Sequence, residues 1–232
     1  MANWFLGRAL AEEAEAENAP WSFLGEGAAF WVTVAVLLVV GVAVYLVTRK
    51  KSSKKSFWTA KTMAVGAMCM ALSSVLSLIK LWSMSMGGSV TPASMLPLLL
   101  FAYCYGVGPG MVLGALYGVM QFLLDGMAWA ALGAIPNLLD YPIAFGLLGL
   151  AGCFRGSKAK MTAGFVLGCF GRFMASFLSG FIFYGQYAPE GVNPVWYSLT
   201  YNGSYMLVEC IICIALGLLV GERLAKELKK VA

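Results

Sequence analysis

This sequence predicts an all-α integral membrane protein, and three observations predict it. Of 232 residues, 60% are hydrophobic and only 12% are charged, whereas soluble domains carry about a quarter charged residues. The mean hydropathy is +0.80. Apolar runs recur along the chain between turn-forming or charged residues, and a bilayer core of ~30 Å takes about 20 such residues per helix. The expected organisation is an acidic segment at 1–27, an apolar helix with a basic linker at 28–56, and a six-helix membrane domain at 57–232.

Taken in order, residues 1–27 hold Glu12, Glu13, Glu15, Glu17 and Glu26, with Pro20 and Gly25 interrupting any helix. No basic region precedes a short apolar core with a small-residue cleavage site, so this is not read as a signal peptide. Residues 28–48 (AAFWVTVAVLLVVGVAVYLVT) form the cleanest span, and Arg49, Lys50, Lys51, Lys54 and Lys55 follow it. Six further spans are expected at 60–80, 94–107, 109–125, 137–153, 162–184 and 198–221. The second and third of these are short and separated by GVGPG at 106–110, which suits a tight turn at the membrane face.

Charge orients the chain. If the first helix runs outside to inside, the cytoplasmic side holds Arg49 to Lys55, Lys61, Arg155, Lys158, Lys160, Arg223, Lys226, Lys229 and Lys230, leaving only Arg8, Lys80 and Arg172 elsewhere. The positive-inside rule then places the N-terminus outside and the C-terminus in the cytoplasm, in the plasma membrane. The net charge of +5 comes from this asymmetry and implies no nucleic acid. Loops 81–93, 126–136 and 185–197 fall outside and are rich in Gly, Pro and aromatic residues. Such loops suit a lid over a pocket, or simply an interfacial aromatic belt.

Several chemistries are disfavoured. There is no histidine, so His-based triads and His metal ligands are excluded. The six cysteines lie in or beside apolar segments, and Cys210-Ile-Ile-Cys213, despite its CxxC spacing, sits inside a membrane helix rather than at a soluble helix N-terminus. No metal cluster, Walker motif or activated Ser/His pair appears, so neither an enzyme nor a cofactor is indicated.

Small residues mark packing faces. Gly110, Gly114 and Gly118 repeat every four residues, and internal packing is expected there. Ala60, Ala64, Ala67 and Ala71 line one side of the next-to-first span, open to internal packing or a partner. Arg172 and Glu209 fall near mid-membrane, where a lone charge is costly. An interhelical salt bridge between them is expected, with an ion or proton pathway as the rival.

The stretch from Gln121 to Phe145 (QFLLDGMAWAALGAIPNLLDYPIAF) organises the rest. It breaks at Asp125-Gly126 and re-enters apolar sequence at Asp140-Tyr141-Pro142. A carboxylate at a membrane helix mouth, with a ring beside it, suits an organic cation. Equally, Asp140 suits the N-cap of a helix starting at Tyr141-Pro142.

Four segments together carry a resemblance: SMGGSVTPASMLPLLL (85–100), LLDYPIAFGLLGLAG (138–152), GRFMASFLSGFIFYGQYAPEG (171–191) and VWYSLTYNGSYML (195–207). They resemble the thiamine-specific S component of energy-coupling-factor vitamin transporters, over about residues 60–222. The resemblance implies a six-helix S-component bundle, with 28–48 as one extra N-terminal transmembrane helix. It implies capture of thiamine, or a related small cation, from the outer face, and association with a shared ECF transmembrane subunit and two ATPase subunits that supply the energy. The face formed by Ala60, Ala64, Ala67 and Ala71 resembles the docking surface for the transmembrane partner. Carried over by motif, the pocket would use Asp140, Tyr141, Tyr184, Tyr197 and Asn202. Ser176 stands where the family commonly has His, a departure that removes a ring able to stack or donate, and Tyr184 stands where Trp is frequent.

Thiamine joins a permanently cationic thiazolium to a flat aminopyrimidine, so a carboxylate, aromatic faces and amide groups suit it. The competing reading is a stand-alone proton-coupled permease using Asp140, Glu209 and Arg172 as a relay.

Overall fold

The computed structural model describes residues 59–84, 87–124, 134–189 and 191–231. The acidic segment, the expected span at 28–48 with its basic linker, and the loop from Asp125 past Trp129 lie outside the described residues.

Helix α1 (Ala60–Leu78) starts at Thr59, whose hydroxyl accepts from the Thr62 amide at 3.2 Å. Its inner face buries Thr62, Val65, Gly66, Cys69, Ser73 and Ser77, while Met68, Leu72 and Val75 point outward. A small hairpin follows, β1 (Trp82–Ser83) against antiparallel β2 (Ser89–Val90). The loop reading of 81–93 did not anticipate it, because two-residue strands are too short to leave a periodic pattern.

Helix α2 (Leu96–Tyr105) has Pro97 in its first turn, where the missing N–H costs nothing. All ten of its residues are buried, so it is apolar all round because it lies at the bundle centre. At about 1.5 Å per residue it is too short to cross a bilayer alone. Gly106, at φ 105, turns the chain directly into α3 (Val107–Leu124), as the GVGPG motif suggested.

The next span, α4 (134–153), is not a uniform helix. It joins an α segment at Ala134–Leu138, a π turn at Leu139–Ile143, an α turn at Ala144–Leu147 and a tighter 3-10 stretch at Leu148–Cys153. Pro142 has no N–H to donate, and the Ala144 amide reaches back to the Leu139 carbonyl instead. Helix α5 (Lys158–Phe183) is capped by Ser157. Helix α6 (Pro194–Leu216) passes through a second π turn at Gly217–Gly221 into α7 (Glu222–Val231). Tyr105 Oη donates to the Leu228 carbonyl at 2.7 Å and ties α7 to the central helix.

Among the described residues, five stretches are long and apolar enough to span a membrane, and α2 supplies a sixth, shorter apolar helix. They fall on the six apolar runs expected from residue 60 onward, with the run at 94–107 forming the short central helix and not a full span. The glycine repeat works as expected: α3 lies so close to α4 that a Cβ on Gly114 would sit 2.2 Å from the Phe145 carbonyl oxygen. One on Gly118 would sit 2.4 Å from that of Tyr141.

Candidate functional site

A cavity of about 130 Å³ opens between α3, α4, α5, α6 and the hairpin. It is lined by Asp140, Tyr141, Ser176, Tyr184, Tyr197 and Asn202, so all six residues singled out from the sequence meet at one place. Gly87, Gly88, Ser89, Gln121, Phe145, Arg172, Gly180, Ser198, Tyr201 and Tyr205 complete the wall.

The π turn of α4 carries Asp140 and Tyr141 into this cavity. Ser179 on α5 donates to Asp140 Oδ2 at 2.7 Å, which holds one carboxylate oxygen in place. Asp140 is therefore not an N-cap. The helix begins before it, at Ala134, and its carboxylate is held by Ser179 on another helix. The Tyr141 ring is wedged edge-on against Phe122, with centroids 5.4 Å apart.

Helices α5 and α6 cross closely at Gly180, where a Cβ would lie 2.4 Å from Ser198 Oγ. From α6 comes a ladder of rings: Tyr197 to Tyr201 at 5.9 Å and Tyr201 to Tyr205 at 6.0 Å between centroids. Asn202 is fixed within it. Its amide donates to the Ser198 carbonyl at 3.0 Å, and its Oδ1 accepts from Tyr205 Oη at 3.0 Å. Tyr184 caps α5 and stands beside Tyr187. Ser176 is buried on the cavity wall.

The expected Arg172–Glu209 salt bridge is not formed. The Arg172 guanidinium lies over the Phe145 ring, 4.0 Å from its centroid, and its Nε is buried without a hydrogen-bond partner. Glu209 takes its hydrogen bonds from Thr91 and Ser94. Both charged side chains line a second, smaller cavity of about 40 Å³ that shares Ser89, Gln121, Phe145, Arg172 and Tyr205 with the first. Pairing by elimination failed because a cation can be held by a ring face and a carboxylate by uncharged donors.

The chain is matched over residues 63–228 by the family model described as thiamine transporter protein (Thia_YuaJ). The chain belongs to this thiamine transporter family. Among curated relatives, the thiamine transporter ThiT of Bacillus subtilis (strain 168) is 38% identical over 145 residues, which is 56% of this chain and 73% of that protein. The thiamine transporter ThiT of Lacticaseibacillus paracasei is 33% identical over 134 residues, 52% of this chain and 67% of that protein. The solved structure of ThiT from Listeria monocytogenes has the same fold, with a TM-score of 0.63 at 21% identity, covering 72% of this chain and 96% of that one. The family is one of transporters, not enzymes. A multi-pass helical membrane protein is what both its apolar helices and its relatives describe.

Sequence reasoning missed the cavity-wall residues Gln121, Tyr201, Tyr205 and the hairpin glycines, and Ser179, which holds Asp140 from behind the wall. A signal existed for some of them. Tyr201 and Tyr205 follow Tyr197 at four-residue steps, and Ser179 lies three after Ser176, so each shares a helix face with a residue already named. Gln121 and the hairpin carried no such mark. The alanines of α1 (Ala60, Ala64, Ala67 and Ala71) are all exposed on the outer side of the described bundle.

Proposed function

We propose that this chain is the substrate-binding subunit of an energy-coupling-factor importer and captures thiamine in the cavity around Asp140. The observation that carries the reading is that one cavity joins a carboxylate, a ladder of tyrosines and an oriented asparagine. A flat organic cation needs those groups: a negative oxygen for the charge, ring faces for stacking, and amide and hydroxyl groups for ring nitrogens. The curated relatives carry thiamine in their names.

In this reading Asp140 attracts the thiazolium, with Ser179 fixing the carboxylate, while Tyr141, Tyr184 and Tyr197 supply ring faces. Asn202 and Ser176 hydrogen-bond the ligand. The cavity lies in the half of the bundle where α5 finishes and α6 begins, lined there by Ser176, Tyr184, Tyr197 and Asn202. The basic residues Lys61, Lys158 and Arg223 mark the start of α1, the start of α5 and the start of α7, the opposite end of the bundle. With positive charge inside, the cavity faces out. Residues 57–232 form the binding domain, and the span at 28–48 is an addition to it. The exposed alanine face of α1 docks the transmembrane partner, and two ATPase subunits drive uptake.

A proton relay through Asp140, Arg172 and Glu209 has less support, because Glu209 is engaged by Thr91 and Ser94.

The test is a thiamine titration of purified protein, followed by tryptophan fluorescence, beside Asp140→Asn. Saturable quenching at nanomolar thiamine that the variant weakens by about thirtyfold or more is expected. A neutral analogue with carbon in place of the thiazolium nitrogen should bind far more weakly. Equal binding of the neutral analogue would sink the carboxylate's role, and no quenching at high micromolar thiamine would sink the ligand.

A further inference from the structure

Glu209 lies one helical turn beyond Tyr205 on α6 and is only 3% exposed. A carboxylate at such a place needs donors, and here they come from one short stretch of chain. The Thr91 amide donates to one oxygen at 2.7 Å. The Thr91 hydroxyl and Ser94 Oγ, the latter at 3.1 Å, serve the other. Bonds to an ionised acceptor are roughly twice as strong as neutral ones.

Thr91 is the residue that follows β2, and its neighbours Gly88 and Ser89 line the larger cavity. The same helix holds the hairpin higher up. Gly88 N–H donates to Tyr201 Oη at 3.2 Å, and a Cβ on Gly88 would lie 2.9 Å from the Tyr205 ring. Glu209 itself lines the small neighbouring cavity and not the larger one.

We propose that Glu209 is a positioning residue for ligand binding: its carboxylate clamps the exit of the hairpin to α6 and so holds Gly88 and Ser89 as a wall of the ligand cavity. It acts through Thr91, without touching the ligand. This deepens the proposed function and rests on it for the ligand's identity. The hairpin is weak by itself, since its two strands are two residues long and a two-stranded ribbon is marginal alone; the Glu209 clamp adds to the packing of buried Val90 against Tyr205 and Met206.

The test uses full-length protein and the variants Glu209→Gln, which keeps the shape and removes the charge, and Thr91→Val, which removes only a hydroxyl. Hydrogen exchange is read without ligand at the Leu81, Met84 and Thr91 amides, of which the first two bond within the hairpin to Val90 and Gly88. Exchange there should rise at least about tenfold, the factor that about 1.4 kcal/mol represents. Amides of α3 and α5 should be unchanged, and the unliganded Tm nearly so. Bound thiamine should dissociate at least about tenfold faster, with a smaller change in association rate. Wild-type exchange at the hairpin in both variants would overturn the clamp, as would a rise in every helix with a large fall in Tm. If the hairpin responds but the wild type binds no thiamine, the clamp stands and the ligand reading falls.

Discussion

At the residue scale, Asp140 concentrates the site's chemistry, and its surroundings rank the variants. Asp140→Asn removes a desolvated charge opposite a cation, a loss of about 2 kcal/mol or more, which is about thirtyfold in affinity. Ser179→Ala leaves the charge but frees the oxygen that Ser179 holds at 2.7 Å. Its cost should be smaller, about 1 kcal/mol. Titrating thiamine into both variants checks the order. If Ser179→Ala weakened binding as much as Asp140→Asn, the carboxylate would not be the group that recognises the cation. Asp140 and Tyr141 were legible in the sequence because a charge beside a ring is rare in an apolar run. Ser179 carried only its three-residue spacing from Ser176, and its meeting with Asp140 follows only once the helix opposite is known.

At the element scale, the π turn that Pro142 imposes packs its backbone directly on α3. A side chain at Gly118 meets the Tyr141 carbonyl at 2.4 Å and Pro142 Cα at 2.8 Å, both backbone atoms that cannot swing away. Gly118→Val should therefore displace Asp140 and Tyr141, lowering stability by about 1–3 kcal/mol and weakening thiamine binding with it. Gly203, in contrast, has only Phe173 at 3.9 Å from its would-be Cβ. Gly203→Ala should leave both properties close to wild type. Thermal unfolding and thiamine titration of the two variants side by side measure this, and equal losses would remove the helix contact as the explanation. The four-residue glycine spacing pointed to packing, but not to α4 as its target.

At the scale of the whole molecule, the proposed binding and docking surfaces lie on different elements. The exposed alanines of α1 are absent from the cavity wall. Ala64→Leu with Ala67→Leu should abolish co-purification with the transmembrane partner and ATP-driven uptake, while thiamine affinity stays within about twofold, since such surface changes are worth ±0.5 kcal/mol or less. Loss of thiamine binding in that variant would argue against separate surfaces. The orientation has its own check. Val192 and Lys160 are exposed at opposite ends of α5 and its following turn. A cysteine at Val192 should react with a membrane-impermeant thiol reagent in intact cells, and one at Lys160 should not.

By itself the sequence determined the number and position of the spans from residue 60 onward, the family resemblance and six residues of the cavity wall. Those features are local. A bilayer demands a continuous apolar run for each helix, and rare polar residues stand out against it. The tertiary structure decided which helix each polar group faces. Arg172 and Glu209 looked like partners because both were costly, yet one lies on the Phe145 ring and the other bonds Thr91 across 118 positions of chain. The hairpin, the π turn that aims Asp140 and the crossing at Gly180 depend likewise on which backbones approach each other. That is set by the packing of the whole bundle and leaves no periodic mark in the residues themselves.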